Sequence, residues 1–405
     1  MVRPVAGASS TSESDVLRRL GGPVFFPVSV SRLGLRLPPN RHGQSVRVWA
    51  RSLAGMQKEA VVASARTGAA WRVASDEGPY LEGHDAAPCP LAFMSVGMVA
   101  GYLNQVLAVA TRRGISVRQL ELIQDSRYTM EGSALAGTMT GGALPVELEV
   151  RLDADGGERE IRDIVSEAVA VAPVTGMMRE AQRSLFSLTA NGQQCTVDRV
   201  TALDREPEPD PGLAFQGLGA GVQQRMELVT RVAAVTPVSG VEGGAGSSLQ
   251  AEQRRQLHVW ARCRRRADGL TEIEQRLYRP LGSTFHFLSH EPLPGSGSAS
   301  APDAASYVAV GVAFCCMTQL GRYATIKKQE LSSYRVVQDL HLSVGEAKGR
   351  ASASVADPVE THLYLETPGD PAFGRQALDM AEQTCFLHAF CRTPLEPVVT
   401  VTPLA

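Results

Sequence analysis

The segment that decides the fold is residues 304–328, which read AASYVAVGVAFCCMTQLGRYATIKK. Apolar residues run almost all the way round this predicted helix, a distribution typical of a buried helix rather than a surface one. Residues 91–113, LAFMSVGMVAGYLNQVLAVATRR, have the same character, and Gly114 follows them as a helix-ending residue. The sequence therefore predicts two long helices that lie in the core.

The surroundings of these two helices repeat along the chain. Val48-Trp49-Ala50-Arg51 recurs as Val259-Trp260-Ala261-Arg262, and the spacing of 20 residues from Glu77 to Gly97 recurs from Glu291 to Gly311. Two further matches pair residues 104–106 with residues 318–320 and residues 178–179 with residues 391–392. All offsets lie between 211 and 214 residues. Self-similarity at one offset predicts two diverged copies of one domain.

Each copy is predicted to be an α+β unit. A strand-like opening leads through a Gly/Pro-rich loop to the buried helix, and alternating strands and a second helix follow. Residues 144–152 show the period of two that is typical of a half-buried strand, and residues 361–365 are similar. The second helix is predicted at residues 158–171 in one copy and at residues 374–385 in the other.

Composition shifts divide the chain into four parts. We expect an N-terminal extension over residues 1–45, a first domain over 46–200, a linker over 201–255 and a second domain over 256–405. Within the linker, residues 213–238 have a helical rhythm. The Gly/Pro-rich loop of the second domain spans residues 292–302.

Bulk properties limit the partners and the compartment. A net charge of −2 and a pI near 6.5 create no strong field for nucleic acid or an acidic membrane. Seven cysteines without regular spacing do not suggest a disulfide framework. The N-terminal sequence does not resemble a secretory signal, and no window approaches about 20 consecutive apolar residues. We therefore expect a cytoplasmic protein with reduced thiols and no membrane helix.

Two cysteine motifs carry a resemblance to a known family. One is Phe314-Cys315-Cys316-Met317-Thr318 followed by Arg322-Tyr323-Ala324, and the other is residues 381–386, Ala-Glu-Gln-Thr-Cys-Phe. They resemble the central-helix and second-cysteine motifs of osmotically inducible protein C and the organic hydroperoxide resistance proteins. That family usually has proline after the second cysteine, where this chain has Phe386. The first copy resembles only the scaffold, in residues 88–99, 112–115 and 171–174.

The resemblance implies a fold and a reaction. Members of this family form intertwined dimers with active sites at the subunit interface, so the chain looks like such a dimer fused into one pseudo-two-fold polypeptide. Cys315 would then be the peroxidatic thiolate and Cys385 the thiol that resolves its sulfenic acid, with an external dithiol as reductant and no cofactor. In the first copy, Gly101 and Ala172 stand at these positions, so that copy is predicted to provide a wall without thiol chemistry.

The charged residues that would support the reactive cysteine are only partly present in this sequence. The family places an arginine and a glutamate near the reactive cysteine, with the glutamate at the start of the central helix. At that point this chain offers only Asp303, and Glu291 is a substitute. Arg276 and Arg279 are candidates for the activating cation, whereas Arg322 is expected on a helix surface or an interface.

The remaining cysteines and histidines receive simpler interpretations. Cys391 is an alternative resolving thiol, and Cys316 is expected to face the core. Cys89, Cys195 and Cys263 are expected to be structural. His286 and His290 lie in a predicted strand, where their spacing separates them by about 13 Å, so no metal site is predicted.

Three functions remain open at the level of sequence. The first is a stress-response peroxidase that reduces organic hydroperoxides. The second is a cysteine-dependent thiol or acyl transferase of a specialised pathway. The third is a non-catalytic protein that binds a small molecule in an apolar cleft. The expected partners are a hydroperoxide or another apolar substrate and an external dithiol, without nucleic acid or membrane, and a further homodimer is an open question.

Overall fold

The computed structural model describes residues 15–20, 24–218, 227–234, 253–292, 299–345, 347–348, 350–351 and 353–404. Within these ranges the α-helices are α1 (Val16–Arg19), α2 (Pro90–Arg112), α3 (Glu158–Val171), α4 (Pro173–Arg179), α5 (Ala304–Lys327), α6 (Pro371–Thr384) and α7 (Phe386–Arg392). Short 3-10 helices are present at Ser31–Leu33, Pro79–Leu81 and Pro211–Gly217.

The strands in the described part of the chain are β1 (Phe26–Val28), β2 (Gln44–Ser52), β3 (Lys58–Ser64), β4 (Ala70–Ser75), β5 (Val117–Gly132), β6 (Thr140–Ala143), β7 (Glu147–Ala154), β8 (Leu185–Ala190), β9 (Gln193–Cys195), β10 (Thr201–Ala202), β11 (Val229–Ala233), β12 (Gln253–Arg265), β13 (Thr271–Arg279), β14 (Thr284–Ser289), β15 (Ser333–Leu342), β16 (Ala347–Lys348), β17 (Arg350–Ala351), β18 (Glu360–Glu366) and β19 (Val398–Pro403). The α+β class predicted from the sequence is confirmed.

Two large sheets carry the fold, and each contains strands from both halves of the chain. Sheet one has the order β1-β4-β3-β2-β15-β18-β8-β10, with β9 paired to β8. Sheet two has the order β11-β14-β13-β12-β5-β7-β19, with β6 paired to β5. The junctions correspond: β2 pairs with β15 at Trp49 and Val337, and β12 pairs with β5 at Trp260 and Asp125. The predicted ranges 46–200 and 256–405 therefore exchange strands.

The helices α2 and α5 form the interior layers between the sheets. Helix α5 packs on β2, β3 and β15 of sheet one, α2 packs on β5, β12 and β13 of sheet two, and the two helices pack on each other. Their burial confirms the prediction of two core helices. Each of the two helices is also long and apolar enough to cross a membrane, whereas no segment of that kind was expected from the sequence. In the structure, the two sheets cover the apolar surfaces of these two helices.

The two central helices approach each other most closely at a matched pair of glycines. A Cβ atom on Gly97 would lie 2.6 Å from the Ala304 carbonyl oxygen and 2.7 Å from the Val308 nitrogen. A Cβ atom on Gly311 would lie 2.9 Å from the Met94 nitrogen. Because no side chain fits at such distances, both positions require glycine, and the contact is reciprocal between the helices.

Several element predictions can be compared directly with the structure. The helix over residues 158–171 has the predicted bounds, and the helix predicted over 374–385 begins earlier, at Pro371, because Asp370 caps it. The strand predicted over 144–152 is β7, Glu147–Ala154.

The helical rhythm predicted for residues 213–238 is wrong where the structure describes it. A 3-10 helix ends at Gly217, and Val229–Ala233 forms strand β11 because it gains backbone partners on β14. Residues 219–226 and 235–238 lie outside the described residues, as do residues 293–298 of the predicted loop. The described part of the N-terminal extension adds β1 to sheet one.

Candidate functional site

Cys315 and Cys385, 70 residues apart in the sequence, lie side by side in the structure. Cys315 is in the middle of α5, and Cys385 occupies the break between α6 and α7. The Cys385 thiol and the backbone N–H of Leu387 are both neighbours of the Cys315 thiol. The Cys385 sulfur accepts the backbone N–H of His388 at 3.5 Å. The fold thus brings together the two cysteines that the sequence motifs singled out.

The environment of Cys315 keeps its thiol protonated. Burial raises the pKa of Cys315 well above its usual range, and the contact with Cys385 raises this pKa further. The N–H group of Leu387 opposes this effect. Since the thiolate is the reactive form of cysteine, the thiol needs help from a nearby cation or base.

A small cavity of about 30 Å³ reaches Cys315. Such a volume holds about two water molecules. The apolar part of its wall consists of Leu81, Pro90, Leu91, Leu257, Leu277, Pro280 and Phe386. The polar part consists of Glu77, Tyr80, Cys89, Arg255, Thr318, Gln319 and Arg322. Two thiols, two guanidinium groups and a carboxyl group therefore border one small cavity.

Glu77 supplies the carboxyl group of this cavity, and it comes from the first half of the chain. It is buried and accepts hydrogen bonds from the Tyr80 hydroxyl at 2.7 Å and from the Thr318 hydroxyl at 3.0 Å. Thr318 lies three residues after Cys315 on α5, so it shares that face of the helix. Burial raises the pKa of Glu77. In the sequence, Glu77 served only to mark the repeat. Its match with Glu291 could also have indicated that, in a fused dimer, Glu77 contributes to the site of the second half.

A buried lysine also lies near Glu77. Lys58, on β3, is fully buried, and its Nζ donates to the Met56 carbonyl oxygen at 2.6 Å. Burial lowers the pKa of Lys58, while the charges of Glu77 and Asp76 and of an ionised Cys315 raise it. Lys58 is therefore placed to stabilise negative charge on either the carboxyl group or the thiol. No sequence motif pointed to this lysine.

The arginines at the site differ from those predicted. Arg322 is buried and lines the cavity, so the expected helix-surface position is wrong, while the alternative of an interface fits the residues of the first half that it faces. Burial lowers the pKa of Arg255 to about 9, and the charge of Arg322 contributes to this shift. Arg276 is instead paired with Glu274 and lies over the Trp260 ring. Arg279 is exposed on β13 and does not line the cavity.

Glu291 and Asp303 form a separate cluster. Glu291 pairs with Arg66 at 2.5 Å, and Arg66 lies 3.4 Å from Asp303. Asp303 caps α5 by accepting the Ser306 N–H at 2.8 Å. Neither lines the cavity, because the start of α5 lies 11 residues, or about 16 Å, before Cys315 on the helix. Burial raises the pKa of Glu291 to about 7, and the charge of Asp303 adds to this effect.

Three other cysteines are buried, and one of them lines the cavity. Cys391 is buried in α7 outside the cavity wall, and burial raises its pKa to about 12. Cys316 is buried, as predicted, and its pKa is raised by burial. Cys89, expected to be only structural, lines the cavity beside Cys315, and burial raises its pKa to about 12. The cavity wall therefore carries two thiols, Cys89 and Cys315, and Cys385 lies behind it.

Histidine positions bear on metal binding. His286 is exposed on β14, where the predicted strand is confirmed, and its Nε2 lies 3.7 Å from Glu274. His290 accepts the Ser300 N–H at 3.0 Å.

Among the described residues, Asp339, His341 and Glu360 have ligand atoms within 4.8 Å of one another. Arg47 binds Asp339 at 2.6 Å, and Arg41 binds Glu360 at 2.6 Å. Because these guanidinium groups already neutralise the carboxylates, the cluster is a buried ion-pair network.

Comparison with known proteins gives little guidance. No family model matches the chain. No curated protein matches it either. Among solved structures, the chain is similar to an OsmC-like hydroperoxide resistance protein from Jannaschia sp. CCS1, with 22% sequence identity, a TM-score of 0.20, and coverage of 32% of this chain and 83% of that one. A likeness of this size does not assign the chain to a family.

Proposed function

We propose that the chain is a thiol-dependent peroxidase that reduces organic hydroperoxides with Cys315 and Cys385. The observation that carries the proposal is that these two thiols are neighbours and that one of them, Cys315, lines a small, mainly apolar cavity. A peroxidatic thiol needs a cation that favours its thiolate and a second thiol that resolves its sulfenic acid. Arg322 and Lys58, on which an ionised Cys315 would act, are the candidates for the cation, and Cys385 is the candidate for the second thiol.

The same proposal includes the origin of the fold. We infer that the chain is a duplicated domain of the osmotically inducible protein C type, fused as an intramolecular dimer. The exchanged strand pairs β2–β15 and β12–β5 and the reciprocal glycine contact of α2 and α5 support this inference. Only one of the two interface sites keeps thiols, and it receives Glu77 and Lys58 from the other half.

The first chemical step oxidises Cys315. Its sulfur attacks the terminal oxygen of the hydroperoxide, so an S–O bond forms while the O–O bond breaks. The products are a sulfenic acid on Cys315 and an alcohol, once the alkoxide has gained a proton. The thiol proton of Cys315 passes to the Glu77 carboxylate as the sulfur attacks, and Glu77, whose raised pKa suits it to carry a proton, delivers that proton to the alkoxide.

The second step closes a disulfide. The Cys385 sulfur attacks the sulfenic sulfur of Cys315, the S–O bond breaks, and water leaves. The contact between the two sulfurs means that no large movement precedes this attack. An external dithiol then reduces the disulfide by exchange and restores both thiols.

Mass mapping after a stoichiometric dose of an alkyl hydroperoxide tests the proposal. We expect a Cys315–Cys385 disulfide in the native protein and a sulfenic acid on Cys315, trapped by a dione reagent, in Cys385→Ser. Cys315→Ser should lose turnover by at least about 1000-fold, because it lacks the nucleophile. Cys263→Ser, a change of a buried β12 thiol outside the cavity wall, is the matched control. Full turnover in Cys315→Ser would refute the proposal.

The raised pKa of Cys315 favours one second candidate, a thiol or acyl transferase. A protonated thiol reacts slowly with neutral hydroperoxides, and it suits a substrate that brings its own base or a strongly electrophilic carbon. Intact-mass detection of a stable substrate adduct on Cys315, without a sulfenic acid, would distinguish this reaction from the peroxidase.

A further inference from the structure

The end strands of the two large sheets differ in how well they are protected against pairing with another chain. Sheet one ends in β1, which has Pro27 at its centre, and in β10, which is only two residues long. Sheet two ends in β11, which carries a register shift and the charged Arg231, and in β19. Short length, proline, irregular pairing and charge all keep an edge strand from recruiting a partner. Strand β19 is the end strand that differs from the others.

Strand β19 is uncharged and rich in residues that favour strands. The sequence from Pro397 to Pro403 reads PVVTVTP, with a β-branched residue at every position between the prolines. Val398 is 57% exposed. Among the described residues, β7 is the one strand that pairs with β19. The other edge of β19 is therefore open to a further strand.

The pairing with β7 shows which backbone groups of β19 are free. The N–H of Val398 donates to the Val146 carbonyl oxygen at 2.8 Å, and the two strands run parallel. Successive residues of a strand alternate in direction, so the even-numbered positions of β19 face β7. The N–H and C=O groups of Val399 and Val401 therefore point to the open edge, where a buried or paired state would satisfy them.

The sequence of this edge is nearly symmetric about Thr400. Val399 and Val401 are equidistant from it, and so are Pro397 and Pro403. In an antiparallel pair of two copies with Thr400 opposite itself, Val399 of one copy faces Val401 of the other. Each such pair exchanges both of its N–H···O bonds. The prolines then face each other and end the pairing, because neither has an N–H to donate.

The side chains of the free positions also suit a second copy. Val399 and Val401 line a groove of about 890 Å³ between β19 and α3, whose apolar wall includes Val165 and Val169. Facing residues of an antiparallel pair project from the same face of the sheet, so the valines of a second copy extend this apolar surface. The groove carries charges of both signs, on Arg162, Arg179 and Glu396.

We propose that β19 is the interface of a homodimer, in which two copies of this chain pair their β19 strands antiparallel about a two-fold axis at Thr400. Such an interface is isologous, and it joins sheet two of both copies into one continuous sheet. Residues 397–403 do not line the cavity of Cys315, so the interface is independent of the proposed function. Because the contact is small, we expect a dissociation constant in the micromolar range.

Cross-linking tests the register. The two copies of Thr400 would form a non-hydrogen-bonded pair with Cα atoms about 4.5 Å apart, which a disulfide can bridge. Cys195 is the cysteine of the native chain that is not buried, so it is changed to serine in this experiment. In that background, Thr400→Cys should give a covalent dimer under mild oxidation.

Thr402→Cys in the same background is the matched control for the cross-link. It changes the same residue type on the same face of β19, but its two copies would lie about 14 Å apart. It should therefore remain monomeric on a non-reducing gel. Equal cross-linking of the two variants, or no cross-linking of Thr400→Cys, would overturn the inference.

Sedimentation velocity tests the backbone contact. The native protein should pass from monomer to dimer between about 1 and 100 μM. Val401→Pro removes an N–H that points to the open edge and leaves the bonds to β7 in place, so this variant should stay monomeric with a native circular dichroism spectrum. If this variant does not fold, the cross-linking of Thr400→Cys, which keeps the backbone intact, still decides.

Three results of these solution experiments would contradict the homodimer. The first is a native protein that is monomeric at every concentration. The second is a dimer that Val401→Pro leaves intact, because such a dimer would use another surface. The third is slow hydrogen exchange at the amides of Val399 and Val401 in a monomer, because another segment would then already cover the edge of β19.

Discussion

The two ends of the central helix pair differ in what surrounds a buried glutamate. At one end, Glu77 is held by two hydroxyl groups and shares a cavity with Cys315. At the other, Glu291 is paired with Arg66, and the repeat offset aligns Gly101 with Cys315. A Cβ atom on Gly101 would lie 3.7 Å from the Ala304 Cβ atom. Burial raises the pKa of both glutamates. A raised carboxyl pKa therefore does not identify the active end; the thiols and the open space beside them do.

The largest expected effect on activity comes from replacing Glu77, and replacing Glu291 is the matched comparison. Glu77→Gln should lower kcat/KM for hydroperoxides by about 100-fold, because it removes the proton carrier while keeping the shape of the side chain. Glu291→Gln should change it by less than about 2-fold. Steady-state assays of both variants between pH 5 and pH 9 measure the difference. Equal losses would mean that Glu77 acts only in folding.

Gly97→Ala tests the close contact that both ends share. We expect the free energy of unfolding to fall by about 2–3 kcal/mol, because the new methyl group meets the backbone of α5 at Ala304 and Val308. Backbone atoms cannot move aside as a side-chain tip can. Urea unfolding followed by circular dichroism measures the change. Unaltered stability would show that the helices are further apart than described.

His388, beside the thiol pair, should make stability depend on pH. Burial lowers its pKa to about 4 from the ordinary 6.5, so the fold favours the neutral ring. The stabilisation is complete above pH 6.5 and is lost as the pH falls toward 4. At pH 5 the loss amounts to about 2 kcal/mol.

The His388→Phe variant should therefore lose less stability than the native protein between pH 8 and pH 5. Exposed His286→Phe, 54% accessible, is the control and should keep the native pH dependence. Thermal unfolding at the two pH values measures both. Parallel curves for the native protein and His388→Phe would contradict the assignment.

Gly101→Ala should change the free energy of unfolding the least, in contrast to Gly97→Ala. Its new Cβ atom would meet the Ala304 Cβ at 3.7 Å, an ordinary van der Waals distance. Alanine also favours a helix over glycine by up to about 1 kcal/mol. We expect stability to stay equal or rise by less than about 1 kcal/mol. A loss as large as that of Gly97→Ala would show that the helices are in contact along their whole length.

The sequence predicted the parts of this molecule that depend on local pattern. The all-round apolar character of α2 and α5 and the period of two in β7 are local signals, and the structure confirms them. The contact of Cys315 with Cys385 was predicted through a motif resemblance, because 70 residues separate the two cysteines and no local signal joins them.

Local sequence patterns could not predict the other side chains that surround Cys315. Glu77, Lys58 and Tyr80 reach Cys315 only because strands and helices of the two halves interlock. Arg322 was expected on a helix surface or an interface because arginine is rarely buried, and the carboxyl group of Glu77 that offsets its burial lies 245 residues away. A glutamate for the site was sought nearby in sequence, in Glu291 and Asp303, whereas the carboxyl group that borders the Cys315 cavity comes from Glu77 in the first half.

The exchange of strands has a consequence for how the chain can be assembled. Residues paired across β2–β15 and β5–β12 are separated by more than a hundred positions, so neither half completes a sheet before the other has been synthesised. Pairings of such long range make folding slow and leave strand edges exposed in the meantime. Once formed, however, the two halves are held together by their sheets and not by the peptide between them. A protease cut between β11 and β12 should therefore yield two fragments that remain one particle until they are denatured.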